Sequence, residues 1–99
     1  MKLARLSDKC LSAMYKEYSA NNKMSFEFDF FTNLFNAPED DLNMALSELS
    51  KSDYVTVLWA DGIAYTTHLQ SGGISYIESN PKLLKAIQTV KSIKDILTW

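Results

Sequence analysis

The residues able to do chemistry are few: one histidine, His68, and one cysteine, Cys10. A thiol nucleophile needs an imidazole in contact to activate it, and a Cys/His zinc centre needs more of both types. Cys10 falls on a predicted helix and His68 on a predicted strand, so they read as a packed helix thiol and a half-buried strand imidazole. Glu39, Asp40 and Asp41 form a run of carboxylates, but they sit where the first turn of a helix would place them. There they complement the positive end of the helix dipole. Gly72-Gly73 lacks the flanking glycines or lysine of a phosphate-cradling loop. The expectation is a non-enzymatic protein with no cofactor and no metal.

The elements follow from periodicity. Leu3, Leu6, Cys10, Met14 and Tyr18 recur at helical spacing, widened by Leu11 and Tyr15. This first helix ends near Asn21-Asn22, a pair suited to turns. Lys23-Met24-Ser25 suits a very short strand. Phe26, Phe28 and Phe30 alternate like a strand, whereas Phe30, Phe31, Leu34 and Phe35 suit a short helix, expected from about Asp29; five phenylalanines in ten residues are more than one short helix buries easily. Asn36-Ala37-Pro38-Glu39 predicts a helix start, with Asn36 capping and Glu39 at the capping-box position. Leu42, Ala45, Leu46 and Leu49 carry that third helix to about Lys51.

Tyr54–Trp59 is rich in β-branched and aromatic residues, and Asp61-Gly62 predicts a tight hairpin. In the returning strand, alternation puts Ile63, Tyr65, Thr67 and Leu69 on one face and Ala64, Thr66 and His68 on the other. Ile74 and Ile77 suit a short helix, and Pro81 opens the last one. That last helix carries Leu83, Ala86, Val90, Ile93 and Leu97, flanked by Leu84, Ile87 and Ile96. The predicted class is α+β, a winged helix-turn-helix: three-helix core, β-hairpin wing over 59–63, short helix and C-terminal amphipathic helix. The winged-helix unit spans 1–80; the helix of 81–99 packs on it, on a partner, or on both.

Composition fits one globular domain. The chain has 99 residues, 46% hydrophobic and 22% charged. With one cysteine it has no disulfide of its own, which fits the cytoplasm. No apolar run approaches the roughly 20 residues of a membrane span, and the start MKLARLSDKC does not read as a signal peptide. The net charge of −2 is segregated. Residues 1–22 carry +2, residues 23–53 carry −5, residues 54–80 carry −2 and residues 81–99 carry +3.

A family resemblance rests on particular segments. ALSELSKSDYVTV, a hairpin and LQSGGISYIESN resemble the end of many bacterial winged helices. With APEDDLNMAL and the tail AIQTVKSIKDIL, the chain resembles the YjcQ-like family of small winged-helix proteins from Gram-positive bacteria and their prophages. The resemblance runs from about Ala37 to Leu97. It departs at Gln70, where that pattern has a capping Thr, and leaves Ser71 to cap. It implies a prophage setting and a regulatory, DNA-binding role, with no established activity.

Charge argues against the usual form of that role. A recognition helix presents its N-terminal residues to base edges, and here those are Pro38, Glu39, Asp40 and Asp41. Asn43, Ser47 and Lys51 are the remaining candidates on that helix for DNA contact; Lys82, Lys85, Lys91 and Lys94 are candidates on the tail. The expected function is a transcription-regulator-like protein that binds nucleic acid weakly or as a dimer. The alternative is a protein-interaction module whose acidic third helix meets a basic partner. Leu83, Ile87, Val90, Ile93 and Leu97 are the candidate interface for a second copy or another protein. Candidate partners are therefore double-stranded DNA, a protein and a homodimer mate, and no membrane.

Overall fold

The computed structural model describes residues 5–99; Lys2 of the basic N-terminal segment and Leu3, the first residue of the helical stripe, lie outside them. Helix α1 (Leu6–Asn21) buries Cys10, Leu11, Met14 and Tyr15 along its stripe. Asn22 ends it in the left-handed conformation, φ 57°, as the Asn-Asn pair predicts. Strand β1 (Ser25–Glu27) leads straight into α2 (Phe28–Leu34). The aromatic cluster packs through tilted and edge-on pairs, with Phe26, Phe28, Phe31 and Phe35 buried. Phe30 is the one left half-exposed, and the ammonium of Lys23 lies 5.3 Å from its ring centroid.

Helix α3 (Glu39–Lys51) buries Leu42, Ala45, Leu46 and Leu49, the spacing seen in sequence. Asn36 does not cap it. The N-cap is Pro38, with no side-chain cap, and its carbonyl accepts from the Asp41 and Leu42 amides. Three carboxylates in the first turn satisfy the dipole instead. Helix α4 (Ser71–Glu78) likewise starts after an uncapped Gln70, with Ser71 already inside the helix.

Strands β2 (Val55–Ala60) and β3 (Ile63–Leu69) form the hairpin, with Asp61 and Gly62 both at positive φ. Two positive φ values in succession match the right-handed twist of the flanking strands. β1 pairs antiparallel with β3, so the sheet order is β1-β3-β2. The molecule is thus an α+β domain with helices packed on a small three-stranded antiparallel sheet.

The strict alternation expected in β3 breaks. Leu58 pairs with Thr66 but Trp59 pairs with Ala64, so Tyr65 is an extra residue, a β-bulge. One added residue reverses the phase of a two-residue period. Thr67 and Leu69 face the core as expected, but Ala64 joins them, while Ile63 and Tyr65 turn to solvent.

The single long C-terminal helix also divides. Helix α5 (Pro81–Thr89) starts as predicted with Pro81 in its first turn, capped by Asn80. It stops at Val90, in extended conformation, and a 3-10 helix (Ile93–Thr98) follows. Two competing sets of hydrogen bonds cause the break. The Lys16 ammonium on α1 donates to the Ile87 and Val90 carbonyls, 3.3 and 3.0 Å away. Ser92 and Asp95 close a capping box that starts a new turn, and the Asp95 carboxylate accepts from the Lys91 and Ser92 amides. The break folds Ile96 back to full burial, and the Lys9 ammonium reaches the Leu97 carbonyl at 3.3 Å. Two cations of α1 are therefore spent on the backbone of the tail. Among the described residues no helix is long and apolar enough to cross a membrane.

Candidate functional site

The residues with most to offer a partner lie on α3 and the hairpin. Helix α3 turns Glu39, Asp40, Asp41, Met44, Glu48 and Lys51 to solvent. Four carboxylates face one ammonium, and Met44 is 64% exposed in their midst. The hairpin adds Leu58, Trp59, Ile63 and Tyr65, which are 63%, 44%, 36% and 56% exposed. Large apolar side chains at such exposure on neighbouring elements mark interaction surfaces more than isolated ones do. The hairpin tip carries Asp61 and no cation.

Sequence periodicity did not place Ile63 and Tyr65 in solvent, because the bulge does so. Without the extra residue, Tyr65 would share the core face with Thr67. No residue type in IAYTTHL announces the bulge.

The three candidate contact residues of α3 separate. Asn43 is half-buried, and its Oδ1 accepts the Ala64 amide at 2.9 Å. The bulge turns the Ala64 N–H away from β2, and β1 stops at Glu27, opposite Thr66, so no strand is there to receive it. Asn43 takes the place of that missing strand and ties α3 to the hairpin. It is therefore a structural residue whose acceptor is already engaged. Asn43→Ala leaves an amide unpaired beside the fully buried Ala64, and the expected cost is about 1–3 kcal/mol. Urea denaturation checks this; an unchanged midpoint would refute the strut role.

Ser47 is half-buried and Lys51 is exposed at the C-terminal end of α3. Glu48 holds an ion pair with Arg5 at 2.9 Å, but both side chains are more than half exposed. Such a pair adds little to stability and still leaves α3 acidic.

The tail residues also divide. Lys82, Lys85, Lys91 and Lys94 are all exposed. Ile87 is buried, and Leu83, Val90, Ile93 and Leu97 are half-buried against the domain's own core. The stripe packs on the domain, one of the arrangements expected of it, and the break at Val90 turns the second half of the tail back onto the same core.

Cys10 and His68 do not meet. Cys10 is fully buried, and burial pushes its thiol up to about 12, so almost no thiolate forms at neutral pH. His68 instead hydrogen-bonds Ser25 across the β1–β3 pair, with Nδ1 2.7 Å from the Ser25 hydroxyl. Sequence offered no hint of this Ser–His contact, since 43 residues separate the two. It lies on the open face of the sheet, and among the described residues no carboxylate hydrogen-bonds the imidazole. A nucleophilic triad needs that third, orienting group; the contact is a cross-strand polar pair in water. Beside it, Lys23, Phe26, Glu27, Asp29 and Phe30 line a shallow groove of about 410 Å³. Tyr15 donates to Glu78 at 2.9 Å, and its phenol is raised to about 12, chiefly by burial and further by that carboxylate. Among the described residues no group of three or more His, Cys, Asp or Glu could hold a metal ion.

No protein-family model, curated protein or solved structure matches this chain.

Proposed function

We propose that this chain is a winged-helix binding protein whose α3–hairpin face docks on a basic protein partner. One observation carries the reading: the exposed face of α3 is acidic around a protruding methionine, and α3 is tied through Asn43 to a hairpin that exposes large apolar side chains. A protein surface with apolar residues ringed by lysine and arginine complements both features. A phosphate backbone complements neither, because α3 and the hairpin tip would bring carboxylates against it. The order α1-β1-α2-α3-β2-β3 with sheet order β1-β3-β2 supports the winged-helix assignment. The resemblance to the YjcQ-like family and a prophage, regulatory setting belong to the same proposal. The chemistry-poor surface is consistent with a role that is not enzymatic.

Nucleic-acid binding remains the second reading, and only the exposed tail lysines favour it. It would be weak and steeply salt-dependent.

The two readings separate in one experiment. Isotope-labelled protein is titrated with an amphipathic lysine–leucine peptide and, separately, with a random-sequence DNA duplex. Amide shifts on α3 and the hairpin are expected with the peptide, and none on α3 with the duplex. Asp40→Lys combined with Asp41→Lys should weaken peptide binding at least about tenfold, or roughly 1.4 kcal/mol. Duplex-induced shifts centred on α3, at moderate salt, would reverse the assignment.

A further inference from the structure

The hairpin has a second property, separate from the acidity of α3. β2 is an edge strand, and the hydrogen-bond parity of the sheet fixes which of its groups face outward. The Gln70 amide donates to the Tyr54 carbonyl, and the Leu69 amide donates to the Met24 carbonyl on the other side. Even-numbered residues of β3 near its end therefore serve β2, and odd ones serve β1. On β2, Thr56 and Leu58 turn their main-chain groups toward β3, in phase with the Tyr54 carbonyl just before the strand; the Tyr54 amide donates to the Leu49 carbonyl. Val55, Val57 and Trp59 turn theirs to the open side, where no backbone partner is present among the described residues.

Natural edge strands are usually blunted by charge, proline or shortness. β1, the other edge, is three residues long and carries Glu27. β2 is six residues long, VTVLWA, with no charge and no proline. Its two largest side chains, Leu58 and Trp59, are exposed.

We infer that β2 pairs antiparallel with β2 of a second copy, joining two sheets into one of six strands. The absence of charge selects the occupant. A basic or acidic peptide finds no complement along this strand, whereas a second β2 is equally uncharged and carries the same exposed apolar side chains. Apolar contact also selects the register. Pairing centred on Val57 would set the exposed Leu58 opposite the partner's Thr56, a polar residue and a poorer cross-strand match than an apolar one. Pairing centred on Leu58 avoids this. It stacks Leu58 on its own mate at the two-fold axis and Trp59 against Val57, and it joins Val57 and Trp59 through their outward main-chain groups. The contact is isologous and closes at two copies. A single strand pair buries less than the roughly 1,600 Å² of a standard interface, so the dimer is weak and concentration-dependent.

The test uses the full chain. Sedimentation equilibrium at concentrations on the order of 100 µM should show mass rising from 11.2 kDa toward twice that value. Leu58→Lys places two ammonium groups at the axis and should weaken association at least about tenfold, with an unchanged circular dichroism spectrum. Leu58→Cys should cross-link two chains under mild oxidation, because the residues meet at a close, non-hydrogen-bonded position; buried Cys10 does not compete. Thr56→Cys, displaced from the axis, should not. A mass that stays monomeric overturns the inference. A dimer that survives Leu58→Lys and leaves Leu58→Cys unlinked also overturns it, placing the contact elsewhere. Both surfaces use Leu58 and Trp59 of the hairpin, so mass and cross-linking are measured without peptide, and peptide binding is judged by its shifts on α3.

Discussion

Phe31→Ala is expected to cost about 3–5 kcal/mol of folding stability, the largest effect of any single truncation proposed here. Phe31 is fully buried, edge-on to Phe30 at 5.0 Å and 6.4 Å from Phe26. It joins α2 to the core where β1, α2 and β3 converge. α2 has seven residues, too few to be stable alone, so it exists because its aromatic face is packed. Removing the ring leaves a cavity that its aromatic neighbours fill only in part. Domains of this size are typically stable by about 5–15 kcal/mol, so the variant should be largely unfolded at modest urea. Chemical denaturation followed by circular dichroism checks this. A loss below about 1 kcal/mol would mean that the cluster collapses to fill the space.

Gly73→Ala is expected to be nearly as damaging, for the opposite reason. A Cβ at this position would lie 2.5 Å from the Tyr54 carbonyl oxygen and 3.2 Å from Leu69 Cδ1. Backbone cannot rotate aside as a side chain can, so α4 must move off the start of β2. A cost of about 3 kcal/mol is expected, read as a lower melting temperature. Gly72 meets the same limit, with a Cβ 2.7 Å from the Asp53 carbonyl oxygen. Gly62, whose added Cβ would meet nothing within 4 Å, is limited only by its positive φ of 76°. Gly62→Ala should therefore be milder than Gly73→Ala. The reverse order would remove the close-packing account of the Gly-Gly pair. These glycines are thus packing residues, which is why their flanks carry none of the marks of a phosphate loop.

Elements whose signals are local and repeated were legible in the amino-acid sequence. The stripes of α1 and α3, the Asp-Gly hairpin, the Asn22 helix stop and Pro81 at the start of α5 all follow from short-range sterics and from burying one face. The charge segregation that sets the character of α3 was equally legible, because charge is a property of residues before it is one of folds. The periodicity of Leu83 to Leu97 pointed to one helix, and the capping box of Ser92 and Asp95 that divides it came to light only in the fold.

Tertiary structure decided what depends on residues far apart in the chain. Lys16 and Lys9 of α1 hold tail carbonyls, and Ile87 and Ile96 of the tail pack inward. Asn43 is spent on the Ala64 amide, which needs it only because a bulge lies beside it and β1 is short. That same bulge carries Ile63 and Tyr65 from the core face to solvent. A period-two pattern holds only while the register does, and register is set between strands, not within one. Distance along the chain also hid the surroundings of the two reactive side chains: Cys10 is sealed in the core, and His68 meets Ser25 from across the sheet. Folding left an acidic helix face exposed on α3 and large apolar side chains exposed on both faces of the hairpin beside it.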